Sequence, residues 1–398
     1  MNKPVLEGGK PARKKALVFG RPEILDDEIN EVVDSLKSGW IGMGPKTEEF
    51  EKLFKKFIGC KNAVAVNSCT SALFLSLKVL GIKQGDEIIT SPMTFASTAN
   101  VIEHLNAKPV FVDVEKTTGL IDPKKLKEKI SGKTKAFIPV HLYGRPCEMD
   151  EITEIASAKN VSVLEDAAHA AEAEYKGKKI GAISDFTAFS FYATKNITAA
   201  GGGIITTSDN EAAEKIKLMR LHGVSKAAWS RFNSDEFQPC DVLVPGFKCN
   251  MNDLQAALGI HQLKRVEKNL KKRKKLTELY LQELEKTDEI TLMDYSEKNI
   301  KHAYHLFALL LNLEKLSINR NKFVHALQKE NIGSGIHFIS LHLTSFYRQK
   351  YDFKENDFPN SKLISDRTFS LPLYPSMTEE DALDSVNAVK KLCAYYKK

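Results

Sequence analysis

FSFYATKNITAAGGGIITT, residues 189–207, is a pair of β-rich runs around a short polar elbow, and the elbow carries one lysine, Lys195, five residues after Ser190. The same rhythm extends back along the chain. AVAVN (63–67), EIITS (87–91), PVFVDV (109–114), KAFIPVHL (135–142), VSVLED (161–166), FTAFSF (186–191) and GGIITT (202–207) are short strand-like runs, with helical stretches such as SALFLSLKVLG and EMDEITEIASAKN between them. Most of these runs are continuously apolar rather than alternating, as strands buried on both faces are. The pattern predicts an α/β fold: a mostly parallel seven-stranded sheet with helices on both faces and ligand chemistry at the carboxyl ends of the strands.

Beyond residue 260 the pattern changes. Leu263, Val266, Leu270, Thr277, Leu281 and Leu284 recur at helical steps and predict one amphipathic helix over about 260–286, with the lysines of KNLKKRKK (268–275) mainly on its outer face. A strand-like AYHLFALLL (303–311), a helix RNKFVHALQKEN (320–331) and a last helix opening at Thr378, with Asp381 completing a capping box, suggest a smaller α/β domain. The expected division is a large domain over 1–260, including the N-terminal segment, and a small one over 261–398.

The composition limits the partners. A chain of 398 residues that is 42% hydrophobic can bury two cores. A net charge of +7 suits an anionic small substrate, and the basic block lacks the interleaved aromatics of a nucleic-acid reader, so no nucleic acid is expected. No apolar run is long enough to span a membrane and the N-terminus lacks a secretory apolar stretch, so the expected location is the cytoplasm. The six cysteines have no metal-ligand or disulfide spacing, which predicts reduced thiols and no metal.

A single lysine after a strand is ordinarily an exposed loop residue. Here VSVLED ends in Asp166, with His169 three residues later, and neighbouring parallel strands would bring that carboxylate to the same sheet edge as Lys195. A desolvated amine can attack an aldehyde, while a carboxylate under a pyridine nitrogen keeps the ring an electron sink. That is the chemistry of pyridoxal 5′-phosphate. A phosphate anchor is available where Asn67-Ser68-Cys69-Thr70-Ser71 opens a helix, with Thr70 and Ser71 as donors, although plain N-capping explains the same residues. Ser190 adds a second hydroxyl. Gly42-Met43-Gly44-Pro45 follows no clear strand and lacks a third glycine, so a dinucleotide fold is set aside.

Nearly end to end, the chain resembles the DegT-type sugar-nucleotide aminotransferases, fold type I pyridoxal phosphate enzymes. The matching segments are SGWIGMGPKTEEFE (38–51), VNSCTSALFLSL (66–77), GDEIITSPMTFASTAN (85–100), PVFVDVEKTTGLID (109–122), PVHLYGRPCEMD (139–150), LEDAAHA (164–170), FSFYATKNIT (189–198), GFKCNMNDLQAALG (246–259) and SLPLYPSMTEED (370–381). GFKCN and YATKNIT look most like the enzymes that make UDP-4-amino-4-deoxy-arabinose. The resemblance implies Lys195 as the Schiff-base lysine and proton shuttle, Asp166 as the pyridinium partner, Phe95 stacked on the cofactor and His169 near its phenolic oxygen. It further implies Thr70, Ser71 and Ser190 on the phosphate, and Asn250 reaching in from a second subunit of a homodimer with a shared active site. Lys46, His337 and His342 fall in segments that the family uses around the nucleotide sugar.

The implied activity is transfer of an amino group, from glutamate, to a UDP-linked 4-keto sugar. A sugar dehydratase or deaminase on the same scaffold and a non-catalytic regulatory relative are the alternatives. The dehydratase branch replaces the lysine by histidine, which this chain does not. Two departures stand out: Gly201 occupies a position that is acidic in many relatives, and Cys69 replaces the common small residue before Thr70.

Overall fold

The computed structural model describes residues 3–225 and 240–398. Its main sheet has seven strands: β1 (Asn62–Val66), β2 (Glu87–Thr90), β3 (Lys108–Phe111), β4 (Thr134–Ile138), β5 (Ser162–Asp166), β6 (Phe186–Ser190) and β7 (Gly203–Thr207). Their order is β1-β7-β6-β5-β4-β2-β3. Among the described residues β7 alone in this sheet runs against its neighbours, pairing antiparallel with β6 from Phe186 opposite Thr207 to Ser190 opposite Gly203. The elbow that contains Lys195 therefore leaves and re-enters the sheet at adjacent points on one edge.

Burial on both faces explains the continuous apolar runs. Ala65, Ile89, Phe137, Val163, Phe189 and Ile204 face one core, and Val64, Ile88, Ala136, Leu164, Ala188 and Ile205 face the other. Consecutive residues of a strand thus divide between two layers, as the two-residue period requires. The first layer is covered by helices α2 (Pro45–Ile58) and, later in the chain, α5 (Met149–Lys159) and α7 (Asp253–Lys264), through Phe50, Phe54, Ile152 and Ile260. The second is covered by α3 (Cys69–Val79), α4 (Ala96–Glu103) and α6 (Asn210–Met219), through Leu73, Val101 and Ile216. Ahead of all of these, α1 (Asp26–Ser38) packs against α7.

The single helix expected over 260–286 is two helices, α7 and α8 (Val266–Leu284), broken at Arg265. Arg265 leaves helical geometry with its guanidinium on the buried carboxylate of Glu28 and on the Glu23 carbonyl oxygen, contacts that no local pattern reveals. In the basic block, Lys272, Lys274 and Lys275 pair with Glu23, Glu297 and Glu379 along the outside. Arg273 points inward, where it is fully buried against Glu172.

A smaller antiparallel sheet follows, β8 (Ile290–Leu292), β9 (Phe307–Leu311) and β10 (Thr368–Leu371), in that order. It is backed by α9 (Arg320–Lys329) and α10 (Glu379–Tyr396). The capping box forms as expected: the Asp381 N–H donates to Thr378 Oγ1 at 3.1 Å and the Thr378 N–H to Asp381 Oδ2 at 2.9 Å. The strand expected from residue 303 begins at Phe307, because Tyr304 takes a left-handed conformation with φ of 46°. No described helix is long and apolar enough to cross a membrane.

Residues near the N-terminus pack on this C-terminal part. Leu17 pairs with Ile332 in a parallel bridge, and the fully buried Glu330 accepts the N–H groups of Val5 at 2.9 Å and Ala12 at 2.7 Å while pairing with Lys391 at 2.8 Å. Removing a carboxylate in this position orphans two amides and a cation that are mostly out of water. Glu330→Ala is expected to lose about 3–5 kcal/mol of stability, read as a lower urea midpoint, whereas a loss below about 1 kcal/mol would mean that the N-terminal segment is held by its apolar contacts alone.

Candidate active site

The elbow is a closed loop. Phe191 donates its N–H to Gly202 O at 3.0 Å and accepts from the Ala199 N–H at 2.9 Å, and the Lys195 N–H donates to Tyr192 O at 2.9 Å. Ile197 and Ala199 are buried beneath it. These bonds hold Lys195 over the carboxyl end of β6, in a cavity of about 660 Å³ lined also by Thr70, Phe95, Asp166, His169, Ser190, His305 and His337. Desolvation lowers the Lys195 amine from its ordinary value near 10.5 to about 8, against the opposing pull of Asp166. The same burial pushes the thiol of Cys69 well up, so that residue is a small neutral side chain and no nucleophile.

Asp166 closes β5, one strand over from β6, opposite Ala188. Its Oδ2 accepts from Thr98 Oγ1 at 2.8 Å and its Oδ1 from the Ala168 N–H at 3.1 Å. Burial raises its pKa, and those two bonds together with Lys195 oppose the rise. A cationic ring nitrogen placed against it would strengthen the opposition further.

At the start of α3, Ser68 is the N-cap and accepts the Ser71 N–H at 3.0 Å. Ser68 bridges to Gly202. The backbone approach here is close: a Cβ on Gly203 would stand 2.6 Å from the Cys69 nitrogen, so glycine is required for β7 to lie against the helix start. Gly202, with φ of +120°, is equally constrained. Gly201 is not: its φ is ordinary and a Cβ would meet only the end of Gln255, at 3.3 Å. The first N–H groups of α3 have no intrahelical acceptor and face a cavity that Thr70 lines, a ready site for a phosphate.

Phe95 precedes α4, 62% exposed and with its ring tilted against Phe338, available for a flat ligand. His169 accepts the Tyr143 N–H on Nδ1 at 3.2 Å, and burial pushes it well below the ordinary histidine range. His337 stacks on Phe19 at 5.2 Å, contacts Ser370 Oγ through Nδ1 at 3.0 Å and is pushed by burial down to about 4.

Four of the residues singled out in the sequence lie outside this cavity. Ser71 spends its hydroxyl on the cap, donating to Asn67 Oδ1 at 2.7 Å and accepting from Ser68. Asn250 bridges to Val66 and donates its side-chain amide to Met251 O at 3.1 Å, with Oδ1 buried and unpartnered among the described residues. Lys46 sits on α2 in an ion pair with Glu31, which also binds His261. His342 is fully buried between Ser340 Oγ at 2.8 Å and Glu355 O at 3.2 Å, both in its own segment. Conversely, sequence reasoning passed over Thr98, Phe19, Phe338 and His305. Thr98 lies three residues from Phe95 in TFASTAN and His305 is the lone imidazole in AYHLFALLL, the signals that could have marked them.

Comparison with known proteins agrees with this geometry. The model of the DegT/DnrJ/EryC1/StrS aminotransferase family matches residues 22–390. The chain is 53% identical over 372 residues to the uncharacterized protein MJ1066 of Methanocaldococcus jannaschii, covering 94% of this chain and 96% of that one. It is 47% identical over 381 residues to the spore coat polysaccharide biosynthesis protein SpsC of Bacillus subtilis, covering 96% and 98%. The putative sugar aminotransferase Spr1654 from Streptococcus pneumoniae, solved in its PLP-form, superposes with a TM-score of 0.89 at 32% identity over 96% of this chain and 99% of that one; a PMP-form of that protein matches equally well. Lysine amine, buried carboxylate and helix N-terminus fit the aldehyde, ring nitrogen and phosphate of the same cofactor here. The chain belongs to the DegT/DnrJ/EryC1/StrS aminotransferase family and is a pyridoxal 5′-phosphate enzyme of fold type I, a sugar aminotransferase.

Proposed function

We propose that this aminotransferase takes an amino group from glutamate and delivers it to the keto carbon of a nucleotide-linked sugar, a UDP-4-keto sugar, as a homodimer. The observation that carries the reading is the convergence of one partly neutral lysine amine and one buried carboxylate on a cavity that the start of α3 also lines. Pyridoxal 5′-phosphate supplies an aldehyde and an electron-withdrawing ring. Lys195 Nζ supplies the amine for that aldehyde and, once released, the base that takes a proton from the donor Cα and the acid that returns one. Asp166 holds a proton on the ring nitrogen, which favours charge drawn into the ring. Thr70, Ser190 and the start of α3 bind the phosphate, with Ser71 supporting the cap. Phe95 covers the ring face, and His169, with Nδ1 already taken by Tyr143, has Nε2–H left for an oxygen.

The excess positive charge suits a diphosphate, and SpsC belongs by name to polysaccharide biosynthesis, whose building blocks are activated sugars. Helix α1 leaves Ile29 and Leu36 about half exposed, at 50% and 54%, an apolar face that supports dimerisation, with Asn250 serving the site of the second subunit.

The test is direct. Holoenzyme with glutamate and a panel of UDP-, GDP- and dTDP-linked keto sugars should yield an amino sugar by mass spectrometry with the UDP-linked 4-keto substrate. Lys195→Ala should lower turnover by at least about 10³-fold, and borohydride reduction should label Lys195. Ammonia release without an amino sugar would overturn the reading.

Desolvation disfavours the ammonium, so in the apoprotein the neutral, reactive fraction of Lys195 rises with pH through about 8. At pH 7 that leaves about 10% neutral, against well under 0.1% for an ordinary lysine. Acylation of Lys195 in apoprotein, followed by peptide mapping, should therefore show a midpoint about 2.5 pH units below that of exposed lysines. A midpoint at 10 or above would show that the amine is solvated.

A further inference from the structure

His169 and His305 stand side by side in the cavity wall, ring centroids 4.4 Å apart and planes tilted by 36°. Rings stacked this way do not aim the N–H of one at the in-plane lone pair of the other. Each is held instead by what lies behind it. The Tyr143 N–H donates to His169 Nδ1, so the neutral ring carries its proton on Nε2. His305 is held the opposite way. Asn196 donates its side-chain nitrogen to Glu172 Oε2 at 2.8 Å and to Ala303 O at 2.9 Å. Both of those groups only accept, so the amide orientation is determined and its Oδ1 must be an acceptor. His305 Nδ1 lies 3.0 Å from that oxygen and therefore holds the proton. Glu172 is itself fixed by the buried Arg273. Burial, then His169, Lys195 and His337, lower the His305 pKa well below the ordinary value, so the ring is neutral at pH 7 and its Nε2 is a bare lone pair.

We infer that His305 is a specificity residue whose Nε2 accepts a hydrogen bond from a hydroxyl of the acceptor sugar beside the reacting carbon, with Asn196 and Glu172 as positioning residues that hold its tautomer. The inference rests on the sugar-amination reading above. A carboxylate of the amino donor offers this nitrogen only lone pairs and gains nothing from it, whereas a sugar hydroxyl has a proton to give. Next to it, the His169 N–H serves an oxygen that accepts. The two imidazoles thus divide the work of donor and acceptor by tautomer, with no charge on either.

The experiment uses the holoenzyme and follows the two half-reactions separately through the absorbance of the cofactor. His305→Phe should raise KM for the UDP-linked 4-keto sugar about 10-fold more than it raises KM for glutamate. Wild type should lose about 10-fold toward the monodeoxy analogue lacking the contacted hydroxyl, and H305F should no longer distinguish the two sugars; the analogue changes only the substrate, so this arm does not depend on the variant folding. In protein with ¹⁵N-labelled histidine, His305 should be protonated on Nδ1, and Asn196→Ala should abolish that preference. The inference is overturned by an Nε2-protonated His305 in wild type, by a KM effect confined to glutamate, or by equal handling of every deoxy analogue by wild type. A wild type that aminates no keto sugar is a different failure, that of the functional reading, and shows before any variant is compared.

Discussion

The structure turns on keeping one amine out of water without losing its grip on where that amine points. Moving Lys195 from a pKa near 10.5 to about 8 means that its charged form is disfavoured by about 3 kcal/mol relative to water. A flexible loop would escape that cost by letting the side chain swing outward. Here the elbow is pinned where it leaves and re-enters the sheet, by the register of β6 and β7 and by the bonds of Phe191 to Gly202 and Ala199, while the buried Ile197 and Ala199 anchor it. Rigidity of the loop, set by the sheet, is what converts a lysine into a reagent.

That constraint also explains why the site lies where it does. Parallel strands β4, β5 and β6 end at one edge, so Asp166 reaches the cavity from β5 and Lys195 from the loop after β6. The reversal of β7 then brings Gly202 and Gly203 back against Ser68 and Cys69, so the helix start lies beside the lysine. Neither contact needs the C-terminal part of the chain, whose segments outside the smaller sheet contribute His305, His337 and Phe338 to the cavity lining. The cofactor-facing groups come from one part of the chain and the remaining wall from another.

How much of this was legible depended on how local the cause was. Strands buried on both faces write continuous apolar runs, and all seven were readable within a few residues. The runs overshot where the chain leaves the sheet, as at Val112–Val114 and Phe191, because the connections there begin with buried apolar residues too. Lys195, Asp166, Thr70 and Ser190 were visible because they follow or close strands. The break at Arg265 was not, since it answers to Glu28, far away in the chain. His305 hid in an apolar run whose first residues turn out of the strand at Tyr304, and Arg273 hid in a block of lysines. His342, Lys46 and Asn250 read as binding groups by resemblance, while within one chain their side chains are committed elsewhere.

The Arg273–Glu172 pair bears on why such a costly arrangement persists. A buried ion pair is weak evidence for stability, and an apolar pair of the same shape is often as stable. Nor is this one fully satisfied: Arg273 Nε and Nη1 meet no partner among the described residues. Its value must lie in what it orients. Glu172 gives one oxygen to Arg273 and the other to Asn196, and Asn196 sits next to Lys195 in the chain. An apolar replacement would keep the packing between α8 and the loop after β5 but leave the Asn196 amide held by the Ala303 carbonyl alone, so the partner that sets the His305 tautomer would be less firmly fixed. Stability given up in the interior is recovered as a defined hydrogen-bonding pattern at the cavity wall.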